Sequence, residues 1–534
     1  MGCHEPRVDG WHFKGGPYCL FHVQDPASSE KEIGAFAEAL ERKLDANYRG
    51  YVFPKGFSAH HLQLDRADFI DAHFSDDVDF SGVTFEGPTY FGGVEFDKGA
   101  IFKGTTFRGN VSFAEAKFGG VVDFSGVSFI RSERIEESLD ELWDSAIGAI
   151  SFFGTQFESH ADFRDSTFEV TSKFSNAHFK GLVSFRRVKF SEHSSAEFSG
   201  TTFSHNCYFV EVEGSSTITF TECLFSEEAD FRNATLQGAT RFIRANFASL
   251  ARFGGAPTNE SERTRLNVCF WETNMENVSF HNADLRNVSL YHCYRLDRVE
   301  LIACLWNSAF NRQRVLYDEL ALRRCKPKWG EDEADEFLAM SVVRDSMEST
   351  HGAIDARAPR DDEWERLENT YRDLRRNFED RRDYAGASEF YVGEMELRRL
   401  KKREPQQHLF SLEALYLHLS TYGENWWKPL VWLFVLLLLS TSVYTGWGLR
   451  VDNPGAVSEN IIRICWQPGV ASPTNDLKMF WWALLHSLSV LSFLRISVAE
   501  PLHWTGQFMA IMQLLLSPIL ITLSLLAIRR KLKR

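Results

Sequence analysis

Basic residues are in the minority in this chain. Its 59 Lys and Arg stand against 73 Asp and Glu, a net charge of −14 over 534 residues. That balance argues against sequence-independent binding of nucleic acid through a basic face. Cysteine is sparse as well. Most of the nine lie at Cys207, Cys223, Cys269, Cys293 and Cys304, without the paired spacing of a disulfide framework. They read as small apolar side chains in a reducing compartment. No apolar run follows Met1, Gly2, Cys3 and His4, so no signal peptide is expected. Phosphate-binding glycine loops, nucleophile elbows and zincin motifs are missing too. His160, His178, His193 and His205 fall between apolar positions and read as exposed polar residues, as does the pair Glu227 and Glu228. No enzyme is expected.

Phenylalanine is what the chain has in excess, with 46 copies. One series runs Phe69, Phe80, Phe91, Phe102, Phe113, Phe124; a second runs Phe74, Phe85, Phe96, Phe107, Phe118, Phe129. Each has a period of eleven residues, and together they leave alternating gaps of five and six. A fixed short period predicts one small unit stacked on copies of itself, with a core built from a column of identical side chains. Such a rod offers surfaces rather than a catalytic pocket. Turns every five residues favour Gly, Asp, Asn and Ser, and stacked coils satisfy the backbone at a spacing of ~4.8 Å, so about ten coils make a rod roughly 50 Å long. The register breaks at 130–150, which reads as an insertion with a helix at 136–143, and slips near His193. After the loop at 254–257 the gaps shorten to five: Phe270, Met275, Phe280, Leu285, Leu290.

Asn282-Ala283-Asp284-Leu285-Arg286 resembles the Ala, Asp or Asn, Leu unit of pentapeptide-repeat proteins, and the Phe-rich stretch is similar to their longer variant of alternating six- and five-residue units. The resemblance covers residues 57–305. It implies a right-handed quadrilateral β-helix, with the central Phe or Leu inward and small residues on the neighbouring face. Soluble members that imitate DNA and protect topoisomerases supply one functional reading; the acidic balance agrees with it and the apolar C-terminus opposes it.

The flanks differ in kind. Residues 1–25 hold Cys3, His4, His12, Cys19 and His22. The three-residue separation of Cys19 and His22 suits two ligands of one metal, so Cys3, His4, Cys19 and His22 are a candidate structural zinc site; the competing reading is an unstructured start with chance Cys and His. No other cofactor is expected. Residues 26–56 read as an N-terminal helix and cap, with Ile33, Phe36, Ala37, Leu40 and Leu44 at helical spacing. Residues 306–360 read as a cap helix near 312–324 followed by a linker. Residues 361–405 read as two helices joined by a tight turn at 379–383, one with Leu367, Tyr371, Leu374 and Phe378 on its apolar face, the other with Tyr384, Phe390, Tyr391, Met395 and Leu397. The pair resembles a single tetratricopeptide hairpin, which cannot bury its own face alone; a solvated coiled segment is the alternative.

Residues 406–428 read as a juxtamembrane helix, and residues 371–399 with Tyr422-Gly423-Glu424 resemble the juxtamembrane module of bacterial and archaeal pentapeptide-repeat membrane proteins. Residues 429–449 and 504–528 are apolar enough and long enough to cross a bilayer, with Trp426, Trp427 and Lys428 as interfacial anchors. Between them, after a charge-balanced loop at 450–478, residues 479–499 read as a re-entrant segment, with a third full span as the competing reading. The basic tail at 529–534 favours cytoplasmic termini, and the resemblance implies a prokaryotic inner membrane. The layout is similar to a two-span ion-channel pore domain. However, the stretch where a filter would lie, with Ser489, Ser492 and Arg495, has neither Gly nor Thr and places a cation on a cation pathway. The leading expectation is a membrane-anchored, non-enzymatic scaffold that presents its rod to a protein partner. A homo-oligomeric channel subunit without a potassium-type filter is the alternative, and a DNA-mimicking topoisomerase modulator the third.

Overall fold

A computed structural model describes residues 7–13, 16–19, 47–53, 55, 66–131, 149–192, 194–215, 217–255, 264–324, 361–401, 411–451, 462–464, 473–492, 500–501 and 503–533. The chain divides into two compact units, Met1–Asn377 and Phe378–Arg534.

The first unit is a β-solenoid of about nine turns over residues 52–302. Its strands form sheets of ten, sixteen and nine strands. The largest sheet holds two faces, because the strand Thr235–Ile243 pairs with Glu213–Gly214 through its start and with Ile218–Thr221 through its end. The solenoid therefore has four sides. The stacking ladders between coils are parallel, with register shifts where Thr264–Trp271 pairs with Thr235–Ile243 and with Ala283–Tyr291; Val78, Ala100, Val122, Ala161, Val183 and Cys207 follow one another up one side.

Stacking partners lie 22 residues apart, so the eleven-residue unit seen in the sequence is half a turn. Phe69, Phe91 and Phe113 form one column, with ring centroids 4.8 Å apart and planes within 1°. Phe80, Phe102 and Phe124 form another, as do Phe74 with Phe96 and Phe85 with Phe107. Adjacent columns meet edge to face, for example Phe91 against Phe102 at 5.7 Å and 83°. Each such pair adds about 0.5–1.5 kcal/mol beyond burial.

The corners have their own chemistry. Two residues after each Phe of two columns the backbone turns left-handed, at Gly82, Gly93, Gly104 and Gly126, and in other coils at Asp165, Asn176, Arg187 and Asn233. The third residue after the Phe then donates its N–H back to the Phe carbonyl, as Val83 does to Phe80 at 3.1 Å. The same carbonyl takes a second bond from the next coil. Thr105 donates its hydroxyl to Phe80 at 2.8 Å, Ser166 to Phe124 at 2.7 Å and Thr201 to Phe174 at 2.7 Å, all buried. Cys293 and Cys304 hold this place with a thiol, 3.4 Å from the carbonyls of Phe270 and Phe280.

The stack begins upstream of the expected start at 57. Val52–Phe53 already pairs with His73–Phe74, the Phe53 ring lies on Phe74, and Tyr48 lies on Phe69. An aromatic ring of either kind continues a column, although the spacing before residue 57 does not show it. At the other end the expected helix near 312–324 is shorter. Asn307–Ala309 and Arg312–Val315 form an antiparallel hairpin, turned by left-handed Phe310 and Asn311, and only then does α1 (Tyr317–Arg324) begin. Helix α2 (Asp361–Asp380) brings Tyr371 and Asn377 onto this cap, where the Asn377 amide donates to the carbonyls of Leu296 and Val299 at 3.0 and 2.7 Å.

In the second unit, α3 (Tyr384–Leu400) starts at Asp383, whose carboxylate accepts from the Gly386 N–H at 2.9 Å, as N-caps do. Helix α4 (Leu412–Ser420) is capped by Ser411. Three helices follow: α5 (Trp427–Trp447), α6 (Pro473–Leu491) and α7 (Trp504–Lys533). A three-stranded antiparallel sheet of Leu449–Val451, Ile462–Ile464 and Glu500–Pro501 joins their far ends. The 21 residues of α5 and the 30 of α7 measure about 31 and 45 Å at ~1.5 Å per residue.

The expected zinc ligands Cys3, His4 and His22 lie outside the described residues, as do Ile33, Phe36, Ala37, Leu40 and Leu44 of the expected N-terminal helix, the expected helix at 136–143, the linker after residue 324, and Arg495. Cys19 lies in the strand Gly16–Cys19, paired with Arg7–Phe13.

Candidate functional site

Among the described residues, the outer faces of the solenoid and the apolar faces of the C-terminal helices are open to other molecules. The solenoid interior is not open to them. Phe80, Phe91, Phe102, Phe113, Phe124 and Phe163 are completely buried, and the column spacing of about 5 Å is ring-to-ring contact.

Alternation along each two-residue strand turns one side chain inward and the next outward. The outward positions carry mixed charges that pair from coil to coil. Lys180 reaches Glu158 at 2.8 Å, Arg187 reaches Asp165 at 2.7 Å, and Arg244 reaches Glu222 at 2.7 Å. The Arg187 guanidinium holds the Asp165 carboxyl below its usual range. All these pairs are largely exposed, so each contributes about 0–1 kcal/mol; they pattern the surface more than they stabilise it.

Of the histidines read as exposed polar residues, His160, His178 and His205 are exposed, His178 within the strand His178–Phe179, and His193 lies outside the described residues. His205 faces Glu227 at 2.9 Å, and His160 accepts from the Leu182 N–H at 3.1 Å. Glu228, read as a solvated acid, is half-buried and paired with Arg252. Burial pushes the thiols of Cys223 and Cys269 up to about 12, and those of Cys207 and Cys293 well above their ordinary value. These thiols fill space and are not nucleophiles.

One buried polar cluster escaped sequence reasoning. At the cap, Asp318 accepts the Ser289 hydroxyl at 2.6 Å and the Leu290 N–H at 2.9 Å, satisfying the last coil's edge. Beside it Glu319, fully buried, binds Arg312 at 2.5 Å, Arg323 at 2.6 Å and the Tyr371 hydroxyl. Tyr371 in turn accepts from the Leu316 N–H at 3.0 Å. Charges this deep are matched by fixed partners, and the cluster closes the solenoid. Its sequence signal was slight, since acids beside arginines also describe any solvated helix.

In the second unit, Trp432, Phe434, Leu438 and Leu439 of α5 and Phe508, Ile511, Leu515 and Ile519 of α7 are exposed. Helices so long and so apolar on their outer faces meet the length and composition of membrane spans. Their inner faces are polar. Ser440 and Ser487 share a hydrogen bond of 2.9 Å, and the Gln513 amide donates to the Ser487 carbonyl and hydroxyl at 2.8 Å each. Ser489 and Ser492, singled out as pore-like, instead turn back on their own chain: Ser489 donates to the His486 carbonyl at 2.8 Å and Ser492 to that of Ser489 at 3.3 Å. Ser487, two positions before Ser489, is the serine of this segment that hydrogen-bonds to α5 and α7.

Residues 69–117 and 220–260 match the family model for pentapeptide repeats, with nine copies. No curated protein matches the chain.

Proposed function

We propose that this pentapeptide-repeat β-solenoid is a non-enzymatic scaffold, held at a membrane by α5 and α7 and presenting its outer faces to a protein partner. The observation that carries this reading is a solenoid interior filled by stacked rings, in the same chain as two helices of membrane-spanning length with exposed apolar faces. Recognition is left to the patterned surface. The basic end of α7, with Arg529, Arg530 and Lys531, supports a cytoplasmic position for that end.

Two versions of the protein test it, the full chain and a chain ending at Tyr422. The full chain is expected in the membrane fraction, released by detergent and not by salt or carbonate; the shorter one is expected in the soluble fraction with its β circular dichroism intact. The soluble form, used as bait under crosslinking, is expected to enrich a defined protein. A full chain that stays soluble overturns the anchoring, and a bait that enriches nothing overturns the scaffold.

A second reading, a subunit of a homo-oligomeric pore, has one observation in its favour. The hydrogen-bonded cluster of Ser440, Ser487 and Gln513 places polar groups between apolar helices, where they are costly unless they serve a path or a packing contact. The apolar part of α6, Phe480–Leu491, measures only about 18 Å, the length of a re-entrant helix. Ion flux from liposomes that requires α5–α7 would select this reading over a plain anchor.

A further inference from the structure

We propose that the junction of α4 and α7 binds the headgroup of an anionic phospholipid, a site that rests on the reading of α5 and α7 as membrane spans. A cavity of about 220 Å³ opens there, lined by Tyr416, Gly423, Leu523, Leu526, Arg529 and Arg530. Leu523, Leu526 and Arg529 of α7 recur every three residues and Arg530 lies four after Leu526, so they share one face of the helix. That face changes along its length from two leucines to two arginines, and a phospholipid changes from acyl chain to phosphate in the same direction.

The cavity is built into the fold. Helix α4 ends in three successive left-handed residues, Thr421, Tyr422 and Gly423, with φ of 50°, 56° and 80°. This turn brings the Tyr422 carbonyl to the Arg530 guanidinium, which donates to it at 3.3 Å. A Cβ on Gly423 would lie 2.5 Å from the Tyr416 hydroxyl and 3.1 Å from Arg530 Nη1. Glycine therefore serves both the backbone conformation and the open space. Arg530 is further placed by the Tyr391 ring, 5.6 Å from its guanidinium carbon, and by Glu424 at 3.7 Å. Glu424 also accepts the Ser388 hydroxyl. The Glu424 carboxylate is thus matched by Arg530. The Arg529 side chain is exposed and makes no hydrogen bond or ion pair with a described residue, so among the described residues it is a cation at the cavity that no acid matches.

Its depth is fixed independently. The Ser524 hydroxyl donates to the Trp426 carbonyl at 2.9 Å, and the Trp432 indole donates to the His418 carbonyl at 3.2 Å. The cavity residues of α7 thus lie level with Trp426 and Trp427, where α5 begins and where tryptophan marks the membrane–water boundary. Basic pockets beside spans at that level recognise anionic headgroups. A free phosphate satisfies the arginines but leaves Leu523 and Leu526 uncovered, which favours the lipid.

The test uses the full chain in mild detergent, with native mass spectrometry of retained phosphatidylglycerol against phosphatidylcholine of the same acyl chains. Preferential retention of phosphatidylglycerol is expected. Arg529→Ala, an exposed site with no fold to lose, is expected to weaken it roughly fivefold, from about 1 kcal/mol per basic residue at a membrane surface. Gly423→Ala is expected to act in the same direction by filling the cavity. Lys531→Ala, an equal loss of charge at a residue that does not line the cavity, is expected to weaken the preference less than Arg529→Ala does. Equal losses for Arg529→Ala and Lys531→Ala overturn the site in favour of diffuse charge. Displacement of the lipid by millimolar glycerol 1-phosphate assigns the cavity to free phosphate esters and overturns the lipid. A protein that enters phosphatidylcholine vesicles without any headgroup preference overturns this proposal alone; one that fails to enter any vesicle overturns the anchoring beneath it.

Discussion

Asp318 shows how a single buried carboxylate can end a repeat fold. An open last coil exposes backbone N–H groups that the next coil would have satisfied, and Asp318 takes the Leu290 N–H and the Ser289 hydroxyl in its place. Burial raises its pKa above the ordinary 3.8, against the opposing pull of those two hydrogen bonds. The folded state therefore holds a proton that the unfolded chain releases. The resulting stabilisation is fully present below the ordinary carboxylate range and is lost as pH rises through the raised folded value. In Asp318→Asn, the amide oxygen accepts from Leu290 and its NH₂ donates to the Ser289 oxygen, so the cap is kept without a titrating group. Urea denaturation is expected to show that variant close to the parent under acid and less sensitive as pH rises to neutrality. Asp318→Ala leaves two buried donors unpaired, at about 1–3 kcal/mol each, and is expected to be destabilised at every pH.

At the scale of the coil, the corner sets which residues are allowed. Gly126 has φ +65°, yet a Cβ there would meet nothing within 4 Å. Its cost is therefore conformational alone. The same corner is occupied by Asp165 and Asn233 in later coils, also left-handed. Thermal unfolding is expected to place Gly126→Ala about 1 kcal/mol below the parent. Gly126→Asn, a residue that tolerates this region, is expected to lie between the two. An equal cost for Ala and Asn would show that the corner rejects any side chain by contact. This element was legible in the sequence as turn-forming residues after each Phe, but the inter-coil bond from Thr105, Ser166 or Cys293 was not. A hydroxyl or thiol at a fixed place in a repeat looks merely small until the carbonyl it meets, a full turn away, is in view.

For the solenoid as a whole, each coil touches only its neighbours, so stability is distributed along one dimension. Phe124 lies within the stack, with Phe102 and Phe163 above and below at 4.8 and 4.9 Å and Phe113, Phe118 and Phe152 edge-on. Phe124→Ala is expected to cost about 3–5 kcal/mol and to raise hydrogen exchange in coils on both sides. Tyr48 is the first ring of its column among the described residues and lies on Phe69. Tyr48→Ala is expected to cost less and to raise exchange in the first coil alone. Matching exchange patterns for the two variants would mean that the solenoid unfolds as one cooperative block.

The sequence by itself determined that aromatic side chains form the interior, because only an inward column explains a bulky apolar residue at every fifth or sixth place. It also determined that two C-terminal segments are long and apolar enough to cross a bilayer, since length and composition are local properties. Only the tertiary structure decided that the eleven-residue period is half a turn: the number of sides depends on which strands close a backbone ladder, and Phe69 must find Phe91 rather than Phe80 as its stacking partner. The first coil at Tyr48 and Phe53 was hidden for a similar reason, as a column accepts a ring whatever the chain between rings does. Membership of the buried polar groups was likewise decided by packing. Ser487 and Ser489 are alike in sequence, and a rotation of about 100° per residue around α6 sets one toward its neighbouring helices and the other back along its own chain.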